Sequence, residues 1–149
     1  MFVSEQEMSK AFEKYSKIHF GKAYIKEYSG LFGIPDFVFY TKRDDKTSII
    51  SFELKLKDWK RATTQAFRYK SFSNIVYVVL PSQTANLAFR NIDFFKKYNI
   101  GLAKLNSQEN FEILFKPRED SPYSESLYNK ITLSVSKCRK KMKNLEILT

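Results

Sequence analysis

Ile34-Pro35-Asp36 and, further along, Ser51-Phe52-Glu53-Leu54-Lys55-Leu56-Lys57 are the stretches that decide how this chain reads. Asp36 stands at the mouth of a strand-like run over residues 36–40, and Glu53 and Lys55 stand two apart in a second run over 47–56. Side chains alternate across a strand, so positions two apart share a face. Glu53 and Lys55 therefore mark a polar face, and Ile50, Phe52, Leu54 and Leu56 an apolar one. If the two strands are neighbours, two carboxylates converge beside one ammonium. That arrangement suits a hard divalent cation, Mg²⁺ with Mn²⁺ as its substitute, and the steering of a water at a phosphate ester. Asp36 and Glu53 are the expected ligands. Lys55 is the expected group that positions or deprotonates the water and stabilises charge in the transition state.

Outward from these stretches the chain alternates helix and strand signals. Ser4 with Glu7 reads as a capping box, and Met8, Ala11, Phe12, Tyr15 and Ile18 recur at helical spacing, predicting a first helix over 5–19. A short strand is expected over 23–28, and 42–46 reads as a charged hairpin turn. A second helix is expected over 58–69, with Trp59, Ala62, Ala66 and Tyr69 as its buried stripe. The apolar run 74–80 ends at Pro81 and reads as a central strand covered on both faces. Ser82 is read as the cap of one further helix whose Ala85, Ala88, Phe89, Ile92 and Phe95 face inward. Two last strands are expected over 101–105 and 111–115. Residues 117–122 look like a linker, and Leu127, Ile131, Val135, Cys138, Met142 and Leu145 then predict one long amphipathic helix with a basic outer side.

Asp36 after Pro35, Glu53-Leu54-Lys55, and Gln65 with Tyr69 on the following helix together resemble the motifs of the PD-(D/E)xK nuclease superfamily. The resemblance spans roughly residues 1–106 and is closest to branches with a QxxxY helix motif, such as Holliday-junction resolvases and RecB-like nucleases. It implies a restriction-endonuclease-like fold, an α/β architecture with a mixed sheet flanked by helices. It implies that the backbone carbonyl of Leu54 joins the metal shell and that Gln65 belongs to the catalytic set. Glu5 is a further metal candidate, being the acidic residue of the first helix nearest its Met8/Phe12/Tyr15 face. Lys57, Arg61, Arg68 and Tyr69, with Lys70 nearby, are expected along a DNA-binding border. The expected organisation is a nuclease core over 1–116, followed by a linker and a basic helix over 117–149 packed on the same domain.

Composition agrees with a polyanionic partner. Lys and Arg number 26 against 16 Asp and Glu, a formal charge of +10, while 43% of residues are hydrophobic and 16% aromatic. A basic balance on a chain able to build a core favours nucleic acid, although a lysine-rich surface from an AT-biased genome gives the same count. One cysteine, Cys138, excludes an internal disulfide and a multi-cysteine zinc cluster, and one histidine, His19, argues against a histidine metal site or a Ser-His-Asp triad. No run approaches the ~20 apolar residues of a membrane span. The expectation is a soluble, cytoplasmic protein of prokaryotic, viral or mobile-element origin that cleaves DNA, with a homodimer as a further expectation. Lacking an appended sequence-reading module, it is expected to select DNA structure. The alternatives are a non-catalytic nucleic-acid-binding module and a subunit of a larger restriction, repair or defence complex.

Overall fold

The computed structural model describes residues 1–149. Its elements in chain order are α1 (Glu5–His19), β1 (Tyr24–Lys26), β2 (Phe37–Arg43), β3 (Lys46–Leu54), α2 (Trp59–Tyr69) and β4 (Ile75–Pro81). They continue with α3 (Ser82–Phe89), α4 (Ile92–Tyr98), β5 (Gly101–Leu105), β6 (Phe111–Phe115) and α5 (Glu125–Val135), and a 3₁₀ turn at Leu145–Ile147 follows. The strands form one six-stranded mixed sheet in the order β1-β2-β3-β4-β5-β6. β1–β2, β2–β3 and β5–β6 pair antiparallel, and β3–β4 and β4–β5 pair parallel. The two parallel steps are crossed by α2 and by α3 with α4, as parallel neighbours require.

Strand alternation divides the core in two. Phe37 and Phe39, Ile50, Phe52 and Leu54, and Ile75, Tyr77 and Val79 pack beneath α1, with Met8, Phe12, Phe20 and Leu148. Val38 and Tyr40, Ile49, and Val76, Val78 and Leu80 pack beneath α2 to α5, with Ala62, Ala66, Ala85, Ala88, Phe95, Ile131 and Val135. One helix with the C-terminal turn thus covers one face, and four helices cover the other. The face under α1 is an aromatic cluster. Phe12 lies 4.9 Å from Phe37 and 5.0 Å from Phe52, and Phe52 stacks on Tyr77 at 5.4 Å. Such pairs add about 0.5–1.5 kcal/mol each beyond their burial.

α1 starts where its capping box puts it, with Ser4 Oγ accepting from Glu7 N at 3.1 Å and Glu7 Oε2 accepting from Val3 N at 3.0 Å. The β2–β3 hairpin closes on a two-residue turn, Asp44-Asp45, with Asp44 left-handed at φ 55°. Four sequence expectations are corrected. The 23–28 strand contracts to Tyr24–Lys26, because Glu27 turns left-handed at φ 52°. The single helix after Pro81 is two, broken at Arg90-Asn91, and Phe89 is 47% exposed because the break turns it outward. Ser82 forms no side-chain cap there, and Pro81 takes the N-cap position.

The third correction concerns residues 117–122, which are tied down and not a free linker. The Asp120 carboxylate accepts from Asn99 Nδ2 at 2.7 Å and from Lys70 Nζ at 3.3 Å, and Asp120 N donates to Asn74 O at 2.9 Å. The fourth concerns the long basic helix, which stops at Val135. Ser134 and Ser136 return their hydroxyls to the carbonyls of Lys130 and Leu133, a competition that weakens helix continuation. Continuation would also stack Lys137, Arg139, Lys140, Lys141 and Lys143 at like-charge spacing. The chain turns back instead. Met142 bridges Gly21, and Lys143 N donates to Phe20 O at 3.0 Å. Gly21 permits this approach, since a Cβ there would lie 2.9 Å from Lys141 O. Leu148 is then fully buried, and its carbonyl accepts from Tyr77 Oη at 2.6 Å.

Candidate active site

β2 and β3 bring Asp36 and Glu53 together. The hairpin register pairs Phe37 with Phe52, and Asp36 N donates to Phe52 O at 3.0 Å just before β2 begins. Asp36 Oδ2 then accepts from Leu54 N at 2.7 Å, so the carboxylate itself extends the ladder. This fixes Asp36 beside the strand position that carries Glu53. Leu54 ends β3, and Lys55 follows it, its N–H donating to Val79 O at 3.2 Å to prolong the pairing with β4. The Lys55 side chain is half-buried and enters no ion pair.

The face of β3 that carries Glu53 was read from the sequence as a polar face, yet it lies under α2 and is covered. Glu53 is only 5% exposed, and Ser51 on the same face is fully buried against Ser73, their Oγ atoms 2.7 Å apart. Tyr69 covers Glu53 from the last turn of α2. Its Oη lies 2.6 Å from Glu53 Oε1 and 3.0 Å from Ile34 O. The single phenol proton is shared between these two acceptors. Gly33 makes the arrangement sterically possible. It sits at φ 78°, and a Cβ there would stand 2.8 Å from Tyr69 Cε1.

The electrostatics follow from this burial. Glu53 is pushed up to about 8, first by burial, then by the Asp36 charge, against the Tyr69 hydroxyl and the Lys55 ammonium. Burial also raises Asp36, offset in part by the Leu54 N–H, while Glu5 and Glu27 push it further up and Lys55 pulls it down. The Tyr69 phenol is raised by burial and by the neighbouring Glu53 charge. Two carboxylates thus resist ionising side by side, which is the coupling expected when like charges share a site.

Among the remaining residues singled out from the sequence, Gln65 stands one helical turn before Tyr69 on α2. Its Oε1 is buried without a hydrogen-bond partner. Glu5 is exposed at the rim, and its Oε2 accepts from Leu56 N at 3.2 Å. No three carboxylate, imidazole or thiolate groups converge on one point. Glu5 flanks the Asp36–Glu53 pair, and its charge acts on both carboxyls. Lys57, Arg61 and Arg68 are exposed. Tyr69, expected on the DNA-binding border, is 1% exposed and turned onto Glu53. Lys70 is likewise withdrawn, 3% exposed and paired with Asp120.

Glu27 is the residue that sequence reasoning missed. Its N–H donates to Asp36 O at 3.0 Å, and its charge acts on the Asp36 carboxyl. The signal was in the pairing of β1 with β2, which places Lys26 opposite Phe37 and hence Glu27 opposite Asp36.

The donor set fits a divalent cation. Asp36 Oδ1 and Glu53 Oε2 take no hydrogen bond from the protein, and the Asp36 charge raises the cost of ionising Glu53. Positive charge between them relieves that repulsion, and carboxylate oxygen is the proper donor for Mg²⁺ or Mn²⁺. A cavity of about 370 Å³ opens beside this end of the sheet, lined by Phe2, Leu56, Lys57, Ser82 and Thr84 among others. No helix is long and apolar enough to cross a membrane. Comparison with protein-family models gives no match, and no curated protein is similar at a significant level.

Proposed function

We propose that this chain is a metal-dependent deoxyribonuclease of the PD-(D/E)xK kind, with a restriction-endonuclease-like core, hydrolysing DNA phosphodiester bonds. The observation that carries the reading is the pair of carboxylates, the buried Glu53 and the half-buried Asp36 whose charge raises it, set at adjacent strand ends beside the unpaired Lys55. A protein that only contacted DNA would gain nothing from two carboxylates where phosphate must approach. The helix, three strands, helix, strand order from α1 to β4 is also the order that the resemblance implies.

A bound Mg²⁺ would polarise the phosphoryl oxygen and make a bound water more acidic. Asp36 and Glu53 would hold it, with the Leu54 carbonyl and phosphate or water oxygens completing the shell. The protein's own residues supply the rest. Leu54 N–H fixes the orientation of Asp36, and the Tyr69 hydroxyl fixes that of Glu53. The Lys55 ammonium orients the attacking water and stabilises the charge that builds on the phosphoryl group. Gln65, one turn before Tyr69 on α2, keeps its buried side-chain oxygen without a partner. The resemblance of Asp36, Glu53-Leu54-Lys55 and Gln65 with Tyr69 to resolvase and RecB-like motifs favours a structure-selective endonuclease.

The test is cleavage of linear duplex, single-stranded and four-way-junction DNA with Mg²⁺ and with EDTA. Asp36→Asn and Glu53→Gln each bring cleavage to background while binding in EDTA is no weaker than wild type. The reading is overturned if calorimetry on the wild type detects neither Mg²⁺ nor Mn²⁺ binding, with or without DNA. Binding to DNA without cleavage of any of the three substrates leaves the non-catalytic module in its place.

A further inference from the structure

We propose that the exposed aromatic groove between α2 and α4 is a stacking platform for the unpaired bases of a single DNA strand. The inference rests on the nuclease reading for its choice of DNA and deepens it to a substrate class. Large apolar side chains scattered singly over a surface need no explanation, but a contiguous exposed set marks a binding surface. Here Phe32 is 50% exposed, Phe67 42%, Phe94 40% and Tyr98 36%, and all four line one groove of about 420 Å³. Phe67, Phe94 and Tyr98 touch one another and stay partly exposed. Phe67 meets Tyr98 edge-on at 5.8 Å, Phe94 lies 4.8 Å from Tyr98, and the exposed Tyr123 stands 5.8 Å from Phe67.

Cations are interleaved with these rings. The Arg68 guanidinium lies 5.6 Å from the Phe32 ring centre, Lys97 Nζ 5.4 Å from Tyr98, and Lys60 Nζ 5.8 Å from Trp59 at the start of α2. None of Lys60, Arg61, Arg68, Lys96 or Lys97 is in an ion pair, and Asp93 is the sole acidic residue within α2 and α4. Partly exposed rings interleaved with uncompensated cations match a strand that offers a base and a phosphate in turn. A duplex keeps its base faces stacked inside and cannot use the rings. A second copy of this chain, itself at +10, would set like charges against these cations in a self-complementary contact.

The groove also leads to the carboxylates. Phe32 lies just upstream of Asp36, on the segment whose Ile34 carbonyl faces Tyr69 Oη, and Arg68 adjoins Tyr69 on α2. A strand seated on Phe32 and Phe67 is therefore delivered to the edge of the Asp36–Glu53 pair.

The experiment is fluorescence anisotropy in EDTA with three dye-labelled probes of equal strand length. They are a mixed-sequence single strand, its duplex, and a strand of abasic spacers with the same number of phosphates. The full chain is expected to prefer the single strand over both others. Phe67→Ala and Phe32→Ala should each weaken single-strand binding by about tenfold, in line with the loss of one stacked base, while leaving the abasic strand unaffected. Phe67→Leu, which keeps an apolar side chain without a ring, should behave as Phe67→Ala does. Equal affinity for the base-bearing and abasic strands overturns the inference. So does self-association in sedimentation that disappears in Phe67→Ala, because the groove would then be a contact between copies. Tight duplex binding with no effect of either ring refutes the platform and leaves the nuclease reading standing. Absence of binding to every probe refutes both.

Discussion

The two faces of β3 are equally buried and do opposite things. Ile50, Phe52 and Leu54 point beneath α1 into an aromatic cluster that holds no charged side chain. Ile49, Ser51 and Glu53 point beneath α2, where Ser51 meets Ser73 and Glu53 meets Tyr69. One face gains from every ring it covers, while the other bears the desolvation of a carboxylate. The α1 face therefore packs without a charge, and the face under α2 carries the candidate site beside its own apolar cluster, on the same nine-residue strand. A carboxyl pushed up to about 8 by burial and the Asp36 charge marks that difference.

The comparison is tested most severely by Phe52→Ala. The ring is fully buried between Phe12, Phe39 and Tyr77, and its removal should cost about 3–5 kcal/mol of folding stability. Urea unfolding of the purified variant measures this. A loss under about 1 kcal/mol would show that the α1 face does not carry the fold.

Lys55→Ala probes the other side. Turnover under single-turnover conditions should fall on the order of 10²-fold or more, with folding stability and DNA affinity little changed. Near-normal cleavage in that variant would remove Lys55 from the chemistry.

Stability against pH sharpens the division further. In EDTA the native state holds a proton on Glu53 up to about pH 8, whereas the unfolded chain releases it in the ordinary glutamate range near 4.5. The native state binds more protons between these limits, so stability falls as pH rises across that window and levels above it. Glu53→Gln should flatten that slope and leave the variant more stable than wild type above pH 8. Mg²⁺ affinity of the wild type should rise over the same window, since the cation competes with the proton. Chemical denaturation at a series of pH values and calorimetry check the two halves.

The smallest effect is expected from the serine pair. Ser51→Ala alone strands Ser73 Oγ and should cost about 1–3 kcal/mol, whereas changing both serines to alanine should be nearly neutral. A double variant as unstable as the single would mean that packing, and not hydrogen bonding, sets that site.

Legibility in the sequence followed the range of the interactions. Gln65 and Tyr69 could be placed one turn apart on a helix because helical spacing is local. β5 and β6 could be bounded at their observed residues because glycine and the Asn106-to-Asn110 turn delimit them. Glu27 escaped because its closeness to Asp36 depends on β1–β2 pairing, which no local pattern states. The withdrawal of Lys70 from solvent escaped because its partner, Asp120, comes from a distant stretch that looked like a linker. The C-terminal periodicity misled in the same way. Cys138, Met142 and Leu145 are packed on the core as their spacing suggests, but Met142 does so from a bridge to Gly21 and not from a helix.

The sequence by itself determined the first two helices and most strands, the two strand ends that bear carboxylates, and a basic chain rich in rings, because alternation, capping and charge are written in neighbouring residues. Only the tertiary structure decided that the Glu53 face is roofed by Tyr69, that Asp36 completes the ladder on Leu54, and that Phe32, Phe67, Phe94 and Tyr98 meet in one groove. Burial and convergence are properties of elements packed against each other. A carboxylate acquires its abnormal proton affinity, and a ring its partners, when distant parts of the chain close around them.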